Sequence, residues 1–409
     1  MSRIDYQRRL EKGASDKIHF DFQCESIEEK VKLLIFRDLF RLNWSIDTIG
    51  DSIICAPPSE YDKGDILQSM SIKRMEIIEK DKSWIDCHSH YRDHLLSDGA
   101  KILNSKIIPE IEFCENQEQH NIFRYFRYYW SSPYSDYVGR RIKMIVRDAA
   151  IPEKPIIGIA ALGSPIIHIP ERDEYIGWDK NQRVAKLNTC MDAYVIGALP
   201  PYNYMLGGKL MSYVVTSNEV RKYYEEKYRQ TISVISKKKN TNLVGLFTTS
   251  LYGPSSQYNR LKFRDRILYN RIGSTKGYGT LHLTTETFNA MLALLKSRNI
   301  SVSNRFGAGP IWAMRVIRQV GNILRFDSDF LLRHSFRRDI YYMPLASNTT
   351  QYLNGHSVKL DYFDQSCTEL SDFWHHRWYL MRHQHSPSIY KVKNFSIDKF
   401  YLKSVNDTR

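Results

Sequence analysis

Met191-Asp-Ala-Tyr-Val-Ile-Gly-Ala-Leu199, then Pro200-Pro201, then Tyr202-Asn-Tyr-Met-Leu-Gly-Gly-Lys-Leu210, is the stretch on which the fold turns. The nearly unbroken apolar run suits a strand buried in the middle of a sheet. After the proline pair the glycines open a helix expected to run to about Val215. Upstream, Pro155–Leu162 is a second continuous apolar run, and Arg141–Asp148 alternates as a strand should. Downstream, Thr216 and Glu219 make a capping box for a helix through Arg221, Tyr224 and Tyr228. Leu243–Ser250 is a further buried-strand pattern. Strand, strand, strand, helix, strand is the grammar of a sheet covered by helices.

Residues 1–130 form a helical N-terminal module in this reading. Ser26 and Glu29 cap a helix to about Asn43, with Val31, Leu34, Ile35, Asp38, Leu39 and Leu42 at helical spacing. Further helices are expected near Ser71–Lys82 and His90–Lys106. Residues 131–285 hold the sheet. Residues 286–409 are a basic helical C-terminal part, with helices at Glu286–Arg298 and Ile311–Leu324 and an aromatic tail. The fold class is α+β, with a central mixed sheet flanked by helices.

The 409 residues are 42% hydrophobic and 13% aromatic, which suffices for a large core and excludes wholesale disorder. No apolar run nears the ~18 residues of a membrane span. Met1–Asp16 is basic and lacks the apolar centre of a secretory leader. Cys24, Cys55, Cys87, Cys114, Cys190 and Cys367 are scattered without a CxxC pair, which fits a cytoplasmic setting. The net charge of +14 is unevenly placed. Residues 1–259 carry 36 basic and 34 acidic side chains, whereas residues 260–409 carry 23 and 11. Such an excess points to a polyanionic partner.

Three groups of residues carry candidate chemistry. The turn Gly207-Gly208-Lys209 could present backbone N–H groups to a phosphate or carbonyl, or could let the helix pack closely on the sheet. Neither GxGxxG nor GxxxxGK[ST] is present, so dinucleotide and Walker-type sites are unsupported. Between Arg172 and Asp179, with Arg183 following, lies a dense polar cluster. Asp173, Glu174 and Asp179 could bind Mg²⁺ for phosphodiester chemistry, but the two arginines favour a buried ion network. The histidines of Cys87-His-Ser-His90, with His94, and those near His375 lack the paired spacing of a metal centre. Third, Arg260, Lys262, Arg264, Arg266 and Arg271 are followed by Arg305, Arg315, Arg318 and Arg325. On the helix from Ile311, Arg315, Arg318 and Arg325 fall on one stripe, while Ile311, Met314, Ile317 and Leu324 face the core. Cations with aromatic neighbours suit phosphate contact and base stacking.

Two resemblances add to this. The strand, glycine turn, helix and following strand, with Ser255–Phe263, resemble the core of the GNAT acyltransferase fold. That likeness implies that Gly207, Gly208 and Lys209 would cradle acetyl-CoA and that Tyr258 would protonate the departing thiolate. The usual turn has Arg or Gln first and glycine fourth. Here Asn203 and Leu206 stand at those places, so the fold without acyl transfer is the expectation.

The second resemblance rests on Trp130–Arg140, Arg172–Asp179, Leu199–Leu210, Thr248–Arg260, Ile272–Gly279 and Trp374–Trp378. Together these resemble the DruA family of the Druantia anti-phage systems. It implies a bacterial defence role beside other subunits, a large helicase-like protein among them. The leading expectation is a defence component that contacts nucleic acid, DNA rather than RNA, without a cofactor and away from membranes. A homo-oligomer is compatible. The alternatives are an enzyme of the same system, using Asp173, Asp179 or Tyr258, and a non-enzymatic adaptor.

Overall fold

In the computed structural model, strand Ile156–Gly163 is buried at every position, as its apolar run requires. The structure describes residues 4–7, 19–22, 24–103, 106–134, 139–232, 237, 239, 242–303, 310–385 and 387–402. Around that strand lies a seven-stranded sheet. In chain order its strands are β1 Pro109–Phe113, β2 Arg141–Asp148, β3 Ile156–Gly163, β4 Cys190–Ala198, β5 Gly245–Ser250, β6 Asn270–Ser274 and β7 Asp339–Pro344. The spatial order is β6-β7-β5-β4-β3-β2-β1. Every neighbouring pair is antiparallel except β4 and β5. Helix Gln117–Arg127 packs on β2 and β3, and helix Gly207–Val214 packs on β3 and β4. The α+β architecture with a central mixed sheet is therefore the observed one.

The chain divides into two compact units that are discontinuous in sequence. The first comprises residues 1–76 and 276–336, the second residues 77–275 and 337–409. These units cut across the expected boundaries at 130 and 285. Within the first unit a buried carboxylate ties its two stretches of chain together. Helix Ile27–Phe40 carries Asp38, only 1% exposed, whose Oδ2 accepts from Thr284 N (2.7 Å), Thr284 Oγ1 (2.9 Å) and Thr287 Oγ1 (2.6 Å). Thr284 is in turn the N-cap of helix Thr285–Ser297. A buried acid needs such partners, and here they stand some 250 positions away in sequence.

Other differences are local. The first 130 residues, though mainly helical, include the ribbon Ser45–Ile49/Ser52–Ala56, turning at Gly50 with φ 57°, and strand β1. The second helix starts earlier than expected, at Lys63, and runs to Lys80. The third is broken into His90–Leu95 and Gly99–Ile102. Helix Asn218–Lys227 has Ser217 at its N-cap position without a side-chain capping bond, and the Thr216–Glu219 box does not form. The Thr216 hydroxyl donates to Tyr213 O, and the Glu219 carboxylate accepts from Cys367 N, so tertiary contacts took both members. The aromatic tail supplies β7, which lies between β5 and β6. No helix among the described residues is long and apolar enough to cross a membrane.

His282, in the first unit, is 4% exposed. Burial, with Lys73 nearby, pushes its imidazole down to about 3. Its folded value thus lies below the ~6.5 of an unfolded chain. The stability it contributes is whole above pH ~6.5 and is lost as pH falls toward 3, at up to ~1.4 kcal/mol per pH unit. Thermal melts of His282→Leu between pH 7 and 4 should therefore show a shallower acid limb than the wild type. Equal slopes would disprove the assignment.

Candidate functional site

β4 and β5 pair over three residues only, Cys190 to Asp192 against Gly245 to Phe247. Beyond that point they part, and the β5-facing edge of β4 needs donors from elsewhere. Thr248 Oγ1 donates to Ala193 O (2.7 Å), and Gln257 Nε2 donates to Ile196 O (3.2 Å) and to Ser212 Oγ (3.0 Å). The side chain of Gln257 thus sits in the gap between the parted strands. A Cβ placed on Gly208 would lie 3.1 Å from its Oε1. At Gly207 a Cβ would come 2.5 Å from Tyr202 O and 2.8 Å from the Ala198 methyl. Only glycine lets the helix start this close to the strand.

Lys209 follows directly. It is 7% exposed, and its Nζ donates to the carbonyls of Ser256 (2.5 Å) and Asn259 (3.3 Å). Trp378 stacks over the ammonium at 4.3 Å. No carboxylate among the described residues pairs with Lys209. Burial, then the charge of Arg260, lowers its pKa to about 8. Arg377 lies over the same indole, 5.5 Å from its centre. Trp378 Nε1 donates to Tyr213 OH (3.2 Å), which donates to Lys262 O (2.7 Å). Arg260, Lys262 and Arg377 are exposed and join no ion pair among the described residues. Two cations, Lys209 and Arg377, thus face one indole, with Arg260 close enough to Lys209 to act on its charge and Lys262 joined to the same group through its backbone carbonyl. A short π-helical turn, His375–Tyr379, sets Trp378 in place, while Trp374 donates to Leu206 O (3.2 Å).

The acyl-transfer residues are arranged otherwise than an acyltransferase needs. Tyr258 is 8% exposed and stacks on Tyr269 with centroids 5.1 Å apart and an interplanar angle of 1°. Burial raises its phenol to about 12. With Gln257 in the gap and Lys209 bound to loop carbonyls, the residues present do not fit acetyl-CoA.

The polar cluster is an ion network around Arg172, which is 0% exposed. Its Nε and Nη2 reach Asp173 Oδ1 at 2.9 and 2.7 Å, and Nη1 donates to Ile166 O (2.7 Å). Asp173 Oδ2 accepts from Arg183 (2.7 Å) and meets His168 Nδ1 at 3.0 Å. Against the cost of burial, Arg172 foremost holds this carboxyl below its usual range. Asp179 takes no part. It is the N-cap of helix Lys180–Lys186, with Oδ1 accepting from Gln182 N at 2.7 Å. Among the described residues no three His, Cys, Asp or Glu side chains gather closely enough to hold a metal ion.

The remaining basic candidates fall into two classes. Arg264 pairs with Glu369 (3.0 Å), Arg271 with Asp339 (2.6 Å) and Arg318 with Asp329 (3.2 Å). Arg315 and Arg325 are exposed and join no ion pair among the described residues, and Arg305 lies outside them. Arg315, Arg318 and Arg325 stand in the first unit, Arg260, Lys262 and Arg264 in the second. Ile311, expected in the core, is 65% exposed; Val316, Ile317, Val320 and Gly321 are buried in that helix.

A family model described as "Druantia protein DruA" matches residues 60–355. The chain belongs to the DruA family. Its curated relative, "Druantia protein DruA" of Escherichia coli (strain UMEA 4076-1), is 33% identical over 330 residues, covering 79% of this chain and 81% of that one. No solved structure matches. Membership in the DruA family implies a component of the Druantia defence system. Segments quoted for the family resemblance meet at the end of β4. A Cβ on Gly197 would lie 2.7 Å from the Trp130 ring, and Ser131 Oγ is 2.6 Å from Tyr252 OH. Trp374–Trp378 joins them from beyond the matched span.

One residue escaped the sequence reading. Asp192 is 9% exposed; burial raises its carboxyl to about 7, with Ile166 N as hydrogen-bond donor and Arg172 nearby. Its Oδ1 has no hydrogen-bond partner among the described residues. A lone Asp in an apolar run carries no signal that it will be buried.

Asp173→Ala strips a fully buried arginine of its carboxylate, a loss that costs ~3–5 kcal/mol. Asp179→Ala removes only a helix cap, at ~1 kcal/mol. Melting curves with and without Mg²⁺ should rank the two in that order and show no metal effect. An unshifted melt for Asp173→Ala would point to a catalytic role instead.

Proposed function

We propose that this DruA-family protein serves anti-phage defence by contacting nucleic acid, with DNA as the polymer and the other Druantia subunits as its partners. The carrying observation is the pair of cations over Trp378, Lys209 and Arg377, with Arg260 acting on the charge of Lys209 and exposed Lys262 following it in the same loop. Like charges held together without a counter-ion repel, and a polyanion relieves that repulsion while releasing its own counter-ions. The half-buried indole between them offers an edge for a base or sugar. Family membership supports the defence role; the charge arrangement supports the polyanion.

The same reading makes the protein a binding component without an acyl-CoA cofactor, since Gln257 occupies the strand gap and Tyr258 belongs to the core. Calorimetry with acetyl-CoA should register no binding, and micromolar affinity would restore the acyltransferase alternative.

Double-stranded DNA titrated with Arg260→Ala/Lys262→Ala/Arg377→Ala should bind more weakly and with a flatter salt dependence. The slope of log K against log salt falls by ~0.9 for each phosphate that the variant no longer neutralises. A folded triple variant with the wild-type slope would sink the proposed interface.

A further inference from the structure

Helix Pro310–Leu324, in the first unit, contains no acidic residue. Its exposed positions are Ile311, Arg315, Arg318, Gln319 and Asn322. At ~100° per residue these occupy an arc of roughly 100°. Val316, Ile317 and Val320 are 0% exposed and lie on the opposite side. The helix is thus anchored by one face, and Trp312 Nε1 fixes its first turn by donating to Val302 O (3.2 Å). What the other face presents is an unusual selection. Arginine pairs with guanine O6 and N7, glutamine and asparagine with adenine N6 and N7, and an exposed aliphatic side chain with a thymine methyl.

Resting on the reading that the protein contacts DNA, we propose that helix Pro310–Leu324 enters the major groove of double-stranded DNA and reads base edges with Arg315, Gln319 and Asn322. The groove is ~12 Å wide and admits one α-helix. Arg315 to Asn322 spans ~10 Å of helix axis, about three base pairs at ~3.4 Å each. Arg318 is different from its neighbours. Its guanidinium is tied to Asp329 (3.2 Å) and to Tyr278 OH (2.8 Å), which fixes it at the rim of the face. Arg325, exposed just past the helix end with φ 58°, is assigned to a backbone phosphate beside the groove. A solvated face with no partner would have no need of a helix that carries no carboxylate of its own and exposes Arg315, Gln319 and Asn322 together. An acidic protein partner would select for charge alone and not for Gln319 and Asn322.

The test is selection from a pool of randomised DNA duplexes with the full-length protein. The expected result is an enriched motif of three to four base pairs containing G and A. Arg315→Ala and the double variant Gln319→Ala/Asn322→Ala should each reduce the ratio of affinities for enriched over scrambled duplex by ~5- to 150-fold, the range for removing a bidentate pairing with a base. Arg325→Ala should weaken both duplexes alike and leave the ratio intact. All four positions are exposed, and unchanged melting curves would certify the folds. Duplex binding without any enriched motif, or a motif that survives in both base-reading variants, overturns the inference while leaving the DNA-contact proposal standing. Absence of binding to any duplex overturns both, and preference for single strands overturns this one.

Discussion

The structure of the second unit depends on a strand pairing that stops early. β4 and β5 run parallel, and after three residues their edges separate. A sheet cannot leave a buried edge without donors, so the loop after β5 must fold back and supply them. That one requirement explains why Gln257 lies between the strands, why Lys209 is drawn to the loop carbonyls, and why Trp374 and Trp378 close over the turn. The loop is further pinned by Tyr341 OH, which accepts from Ser255 N and donates to Asn259 Oδ1. The cations are gathered because the gap had to be filled by that particular loop.

Much of the sheet was legible because its central strands are continuous apolar runs of the length a buried strand needs. β2, β3, β4 and β5 are all found within two residues of their expected limits. β7 was missed. Asp339-Ile-Tyr-Tyr-Met-Pro344 is short, begins with an acid and ends with proline, and only its neighbours β5 and β6 make it a strand. The capping box at Thr216 failed for the same kind of reason, since Glu219 was claimed by Cys367 N far along the chain.

The candidate site divides in the same way. Lys209 and the glycines were visible as residues, but the missing counter-ion is a fact of three dimensions. So are the acids that neutralise Arg264, Arg271 and Arg318, all supplied from sequence at least eleven positions distant. A basic run read along the chain overstates free charge, because local counting misses partners brought by folding. Arg260, Lys262, Arg315, Arg325 and Arg377, exposed and joining no ion pair among the described residues, are more informative than the run as a whole.

β6 and β7 are antiparallel neighbours, with Ser274 opposite Asp339 and Thr275 N bonded to Arg338 O. The intervening residues 276–336 belong to the first unit, so half of that unit is strung across what is topologically a hairpin turn. During synthesis the ribosome must therefore release well over three hundred residues before the interior of the sheet can close. Until β7 emerges, β5 and β6 lack the strand that joins them. From the emergence of β5, which ends at Ser250, to that of β7, which begins at Asp339, the nascent chain carries an open apolar seam, which makes the timing of chaperone capture, and not only final stability, a determinant of how much protein accumulates.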